Sequence, residues 1–511
     1  MSHPPSSMKK TLGLTGITMN AMALIAPGAF LWTTFQLQAA NTGGDSDMWT
    51  GIVAALVIAF LTAFSFSELA RKYPEAGAGG SYYFAEKAFL DRKQVSHRRF
   101  ARLSKFITGW AAHLFYWVYP GIMVAFMAIV INYIFSQFGL NLPLVGQITI
   151  AVIFAVLVGL IAVRGISGST NVSIAINVIQ LTSLAFFSVL AIIFRIQNPL
   201  GATEWAHAVP SSIVVPHNLS ALLFQSTIAI LILVGFESST SLAAEAINPR
   251  RDIPRGVILS LVVQGIFAYL LEYFAANYAI SEKLTLTLAD GTVVTGMAAA
   301  AASGAPIGDL TILIGDAVLG AGWGFPLMIV VAGTVALAIL GTTLAAINTA
   351  VRISFAMAQD AEMPEVLGLL DGKYATPYFG VWVLVGVSAL IGSIGLLNVT
   401  ALTGITLASN IGTFVLYAMI CGLTFVSFAG HAEFNSLKHA IVPFLGLVGN
   451  VGMLLAIMGI GLSSGGASAQ ATYIALGITV AWGVISFGYL VWNSRVQNRP
   501  IIPQVMVGSG D

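Results

Sequence analysis

Charge is what this sequence has least of. Only 8% of its 511 residues are Asp, Glu, Lys or Arg, where a soluble domain carries about 25% to solvate its surface. A chain so poor in charge has little surface to show to water. Its single cysteine, Cys421, excludes an intramolecular disulfide and a thiolate metal cluster. The 7 histidines fall without metal-ligand spacing. No GxxxxGK[ST] loop is present, which argues against ATP-driven work by this chain. No dyad, metal set or activated nucleophile stands out among the apolar segments, so an enzyme is not expected and no cofactor is called for. A net charge of +1 gives no reason to invoke nucleic acid. No polar linker divides the chain, so one domain is expected despite a length that would suit several soluble ones.

What is present is apolar sequence, at 57% of residues. Crossing a ~30 Å hydrocarbon core as a helix takes about 20 mostly apolar residues. Runs of this kind occur at 13–38, 48–70, 106–135, 147–163, 171–194, 221–246, 256–280, 325–357, 378–396, 401–427, 441–462 and 471–493. The pattern predicts an all-α membrane protein of about twelve transmembrane helices. The first run follows Lys9 and Lys10 but shows no small-x-small cleavage site, and is read as a retained helix rather than a signal peptide. A small external helix is expected around 306–319.

Lysine and arginine favour cytoplasmic loops. With the N-terminus inside, the basic segment 71–105 is cytoplasmic, and of the 22 basic residues only Arg195 and Lys283 fall outside. An even number of spans then puts both termini in the cytoplasm, as expected of a multi-pass protein of the cell membrane in contact with its lipids. The oligomeric state, monomer or homodimer, is left open.

Two spans carry sequence that a regular helix tolerates poorly. In the first, Ala26-Pro27-Gly28-Ala29 follows Ile25: proline removes a backbone donor and clashes with the preceding turn, and glycine relaxes the dihedrals. In the sixth, Gly235-Phe236-Glu237-Ser238-Ser239 sets a carboxylate and hydroxyls in mid-span. Either site alone is explained equally well by a kink relieved by neighbouring helices. Their placement in helices 1 and 6, matched positions of a five-plus-five repeat, favours unwound segments at a binding site. Glu237 is the most informative residue, since a mid-span carboxylate costs about 2.5–3.5 kcal/mol on insertion scales and must face protein or water. It is a candidate gate and proton carrier; a paired structural carboxyl is the alternative. Tyr116 and Tyr119 share a face of the third span, where an aromatic lid and ordinary packing are both open readings. His113 is expected to be a satisfied interior histidine. Asn348 and Asn410 fit interhelical hydrogen bonding as well as substrate contact. Glu272 is a weaker candidate, placed near the outer end of span 7. Glu68 and Glu245 are expected to pair with nearby arginines.

Three motifs then point to a family. FSELARKYPEAGAGGSYYFAEKAF (66–89), VGFESSTSLAAEAINPRRDIPRGVILS (234–260) and NTAVRISFAMAQDAEMPEVLG (348–368) resemble, in order, the helix 2–3 connection, the helix 6–7 passage and the end of helix 8 of the amino acid–polyamine–organocation (APC) transporters. The resemblance implies a leucine-transporter-type inverted repeat with helices 1 and 6 broken. The first repeat would span about 13–194 and the second 221–427, with two appended helices over 441–493, all in one transport domain over 1–511. It implies secondary transport of amino acids or related amines by alternating access, proton-coupled or by exchange, with a polyamine or organic-cation carrier of the same fold as the alternative. An ion channel is the rival of another class, but no repeated filter segment is visible. By the same resemblance Ile25, Ala26, Pro27, Gly28, Ala29, Tyr119, Gly235 and Phe236 would contact substrate, and Glu237 with Tyr116 would gate it. Three positions depart from the family pattern. Pro27 cannot donate where the family's Gly-Ser-Gly offers an amide to a substrate carboxylate; Gln180 stands where some proton-coupled members carry lysine; and Gln359 replaces a basic residue before Asp360.

Overall fold

The computed structural model describes residues 10–25, 27–40, 45–74, 79–92, 95–164, 169–243, 245–372, 374 and 376–503. The first span is helical on both sides of residue 26, as α1 (Leu14–Ile25) and α2 (Pro27–Ala39). Pro27 is the first described residue of α2, and its missing N–H takes one backbone donor from the span.

Further along come α3 (Met48–Lys72), the short α4 (Ser81–Leu90), α5 (Ala101–Ser136), α6 (Leu144–Val163), α7 (Ser169–Gln197) and α8 (Leu219–Ala229). After α8 the sixth span continues as 3-10 turns over Ile230–Ile232 and Phe236–Leu242. The seventh runs from α9 (Pro249–Leu261) through a π-helical stretch, Val262–Leu270, into α10 (Leu271–Ala279). An antiparallel hairpin of β1 (Thr285–Thr287) and β2 (Val293–Thr295) leads to α11 (Gly296–Ala302) and α12 (Pro306–Val318). The chain finishes with α13 (Gly324–Gln359), α14 (Tyr378–Gly395), α15 (Val399–Phe428), α16 (Val442–Ser463) and α17 (Gly466–Val496). Among the described residues, 11 helices are long and apolar enough to cross a membrane, and each coincides with an expected span; α1 and α2 lie in the remaining expected run. The expected external helix is α12. The hairpin before it carries no periodicity long enough to read, and was not expected.

The core of the bundle is α5, whose apolar window is 83% buried against 17% for α17; α5 packs on α13, α14, α15 and α4. Outward faces are the reverse of a soluble protein's, with Val145, Val480, Val484 and Leu455 exposed, as a lipid-facing surface requires. The broken elements lie inside: α1 is packed by α7, α9, α13 and the Phe236–Leu242 turn.

Ion pairs gather at one end of the bundle. There Lys105 meets Glu86 (2.8 Å) and Asp360 (2.9 Å), Arg102 meets Glu362 (2.6 Å), and Arg352 meets Glu245 (2.5 Å). Arg71 pairs with Glu68, so both carboxylates expected to find arginines do so. Arg195 lies away from this cluster, its guanidinium 3.8 Å from the Trp205 ring and 4.8 Å from that of Tyr278.

Candidate functional site

A helix leaves its last four carbonyls without intrahelical donors. At the end of α1 each of these is capped by a side chain from elsewhere. Gln264 Nε2 donates to Met22 (2.8 Å), Thr342 Oγ1 to Ala23 (3.1 Å), Tyr119 Oη to Leu24 (3.1 Å) and Tyr269 Oη to Ile25 (2.9 Å). Three long elements, α5, α13 and the seventh span, thus reach the carbonyls just ahead of residue 26, which lies outside the described residues.

The sixth span breaks beside it. Gly235 has φ +128°, which disfavours any residue with a Cβ. A methyl there would sit 3.0 Å from the Ile25 amide nitrogen and 3.0 Å from Leu24 Cβ. The start of the irregular sixth-span segment therefore touches the last residues of α1. Beyond Gly235 the hydroxyls of Ser238, Ser239, Thr240 and Ser241 bond back to the carbonyls of Gly235, Phe236, Glu237 and Ser238 at 2.6, 2.7, 2.7 and 2.7 Å. Such back-bonding competes with the regular ladder, and the run Ser-Ser-Thr-Ser is the local reason why this stretch is not α-helical.

Glu237 stands at the start of that segment, buried, with donors on both oxygens. Tyr116 Oη donates to Oε1 (2.9 Å); Tyr417 Oη (2.8 Å) and the Gly235 amide (3.0 Å) donate to Oε2. An ionised carboxyl is acceptor-only, and three donors suit it. The carboxylate ties the broken sixth span to α5 and α15. Against it lies a cavity of about 10 Å³ bordered by Gly80, Ser241, Thr349 and Ile353, roughly the space of one water. Gly80 (φ +46°) closes one wall, where a Cβ would come within 2.8 Å of Thr240 Oγ1. The site is closed around its polar groups.

Of the residues singled out from sequence, Ile25, Tyr116, Tyr119, Gly235 and Glu237 meet here. Phe236 is buried with its ring against Phe66 (6.0 Å) and Tyr417 (5.4 Å), so in this conformation it packs. Pro27, Gly28 and Ala29 form the backbone of the first turn of α2; Ala26 lies outside the described residues. His113 is satisfied as expected, by Gly109 O (2.7 Å) and Ser354 Oγ (2.9 Å), and Asn410 Nδ2 bonds the Thr227 carbonyl at 2.7 Å. Sequence reading missed Tyr417, Tyr269, Gln264 and Thr342. Each is one of several polar groups on its span, and nothing local sets it apart from the others. Glu272 is 0% exposed, and among the described residues neither oxygen has a hydrogen-bond partner.

A family model described as amino acid permease matches residues 10–484. The branched-chain amino acid permease BcaP of Bacillus subtilis (strain 168) is 25% identical over 439 residues, covering 81% of this chain and 80% of the relative. The methylthioribose transporter of the same organism is 25% identical over 457 residues, 86% of each chain. The low-affinity putrescine importer PlaP of Escherichia coli (strain K12) is 24% identical over 275 residues, 53% of this chain and 54% of its own.

Proposed function

The chain belongs to the amino acid permease family of APC transporters, and from that premise we propose how it carries its substrate. It is a multi-pass secondary transporter of amino acids or related amines. In our reading it has twelve spans, with α1–α2 counted as one, arranged as two inverted repeats of five followed by two appended helices. Both termini face the cytoplasm, which puts the ion-paired end inside, in the cell membrane.

The substrate sits where the two interrupted helices touch. Its ammonium group is received by the carbonyl end of α1, where each oxygen has a second lone pair. Its carboxylate is received by the first amides of α2, Gly28 and Ala29, which have no intrahelical acceptor. The side chain lies towards Phe236 and Tyr119. Glu237, held by Tyr116 and Tyr417, is the gate: while the carboxylate keeps its donors the sixth span is locked to α5 and α15. Releasing them frees the Phe236–Leu242 segment to swing and open the small cavity beside it.

The observation that carries this reading is the contact of Gly235 with Ile25, where the irregular sixth span meets the last residues of α1 amid satisfied polar groups. Leucine and methionine are the first substrates to test and putrescine the rival, since Pro27 removes one amide from the anion end and relatives handle both kinds of solute. The experiment is uptake of radiolabelled leucine, methionine and putrescine by proteoliposomes. Saturable uptake of the amino acids supports the reading. Saturable uptake of putrescine alone moves the assignment to polyamines, and single-channel currents without saturable uptake end it.

A further inference from the structure

Glu272 has an environment opposite to that of Glu237. It is 0% exposed, and among the described residues nothing donates to either of its oxygens. It begins α10, directly after the nine-residue π-helical stretch Val262–Leu270; interruptions of that kind concentrate at functional sites. An ionised carboxylate sealed from water without a partner is not sustainable in a protein interior. Glu272 in this closed conformation must therefore be neutral, or wait for a cation that arrives during the cycle.

The neighbouring groups favour the first. On its own span Tyr269, three residues before it, and Tyr273 are its electrostatic neighbours. α7 packs along α10; its Asn177 is turned to the Met19 carbonyl at 3.0 Å, and its Arg195 is engaged by the carbonyls of His207 and Ala208 and the Trp205 and Tyr278 rings. His207 stands by Asn277, outward of Glu272 on the same helix. From α2 comes Phe35, whose ring lies 5.4 Å from that of Tyr273. No free cation among the described residues is on hand to neutralise the carboxyl. Tyr269 is also the side chain that caps Ile25 at the end of α1 (2.9 Å), so the carboxyl is one residue removed from the helix break.

We propose that Glu272 is the proton-binding site of this carrier, holding a proton while the site is closed and passing it to water when the seventh span opens. The inference rests on the transporter reading and adds the coupling ion to it. The proton moves from carboxyl to water and back; no other reactant is needed. Tyr269 links the two events, because a shift of Glu272 on ionisation moves the hydroxyl that holds the end of α1. Glu237, already supplied with three donors, keeps the part of gate.

Two measurements test it. Infrared spectra of the purified protein at neutral pH should contain the carbonyl stretch of a buried, protonated carboxylic acid; Glu272→Gln should remove it and Glu237→Gln should leave it. The apolar variant Glu272→Leu should remove it too and fold as well as the wild type, since it gives up no hydrogen bond. In proteoliposomes under an imposed pH gradient, wild-type protein should accumulate labelled leucine above its outside concentration, and Glu272→Gln should bring it only to equality. A band that survives Glu272→Gln, undiminished accumulation by that variant, or a wild type indifferent to the gradient would each overturn the proposal. If the wild type moves no leucine at all, the choice of substrate has failed and the infrared band decides the proton site alone.

Discussion

Tyr417→Phe isolates the gate with the least disturbance. The phenyl ring keeps its packing on Phe66 (5.9 Å) and Phe236 (5.4 Å), and only the hydroxyl donating to Glu237 Oε2 at 2.8 Å is lost. A hydrogen bond to a charged group is worth about 1.5–3 kcal/mol. At 1.4 kcal/mol per tenfold, its loss from the closed state alone raises the open population by about 10- to 100-fold. The lone cysteine makes this measurable without background. In a Cys421→Ser protein, Ser238→Cys places a thiol in the wall of the small cavity, and its reaction with maleimide reports the open fraction. Labelling should accelerate by that factor in Tyr417→Phe and similarly in Tyr116→Phe. The double variant should fall short of the product of the two, because both donors serve one carboxylate and neighbouring sites do not add. Identical labelling rates in all four proteins would mean that these bonds persist when the site opens, and Glu237 would then be a structural carboxyl.

Three more expectations follow from the same geometry. Gly235→Ala forces a Cβ into φ +128° and to 3.0 Å from the Ile25 amide, a strain of roughly 1–3 kcal/mol; uptake should be lost with a lower melting temperature, and full activity would deny that the sixth span touches the last residues of α1. Glu237→Gln takes an acceptor from the tyrosines as protonation of the wild-type carboxyl does, so the variant's uptake should vary less with pH on the acid side; parallel pH profiles would remove Glu237 from gating. Outside the spans, burial holds the Asp309 carboxyl above its ordinary 3.8, although Ser303 and Tyr133 donate to it at 2.5 and 2.7 Å. The folded state then binds this proton more tightly than the unfolded one, so the stability it contributes is present at low pH and lost as pH rises through the folded value. Melting curves of Asp309→Asn should show a shallower fall over that acid range, and an unchanged slope would count against the burial argument.

Span positions were legible because lipid imposes one rule on every helix, a run of apolar residues of fixed length; the irregular sixth span showed because glycine and a mid-span carboxylate violate it. The pairing of Tyr116 with Glu237 followed only from the family resemblance, since residues 121 positions apart share no local pattern. Tyr417 and Tyr269 were invisible for the same reason: a tyrosine on an apolar helix looks alike whether its hydroxyl caps a carbonyl or meets lipid headgroups. The burial of Glu272 could not be read, because depth along a span says nothing about what surrounds a side chain. The capping of α1 by four side chains could not be read at all, as it depends on how three distant elements cross.

Pro27 looked, in the sequence, like an argument against a substrate carboxylate, and its place in the fold weakens that argument. At the first position of α2 its missing amide is one that helix geometry leaves without an acceptor, and the next two, of Gly28 and Ala29, remain. In the proposed site the carbonyls before residue 26 meet the ammonium and the amides after Pro27 the carboxylate, an arrangement matched to a zwitterion. Leucine and 3-methylbutylamine differ only in the carboxylate, so their affinities isolate its contribution. One charge-assisted hydrogen bond at about 1.5–3 kcal/mol predicts that the amine binds at least tenfold more weakly in a thermal-shift titration, where ligand at 100 times its Kd stabilises by about 2.7 kcal/mol. Equal affinities would show that nothing at the start of α2 grips an anion. The carbonyl end of α1 would then be the whole of the recognition site, and amines without a carboxylate would be the solutes this protein selects.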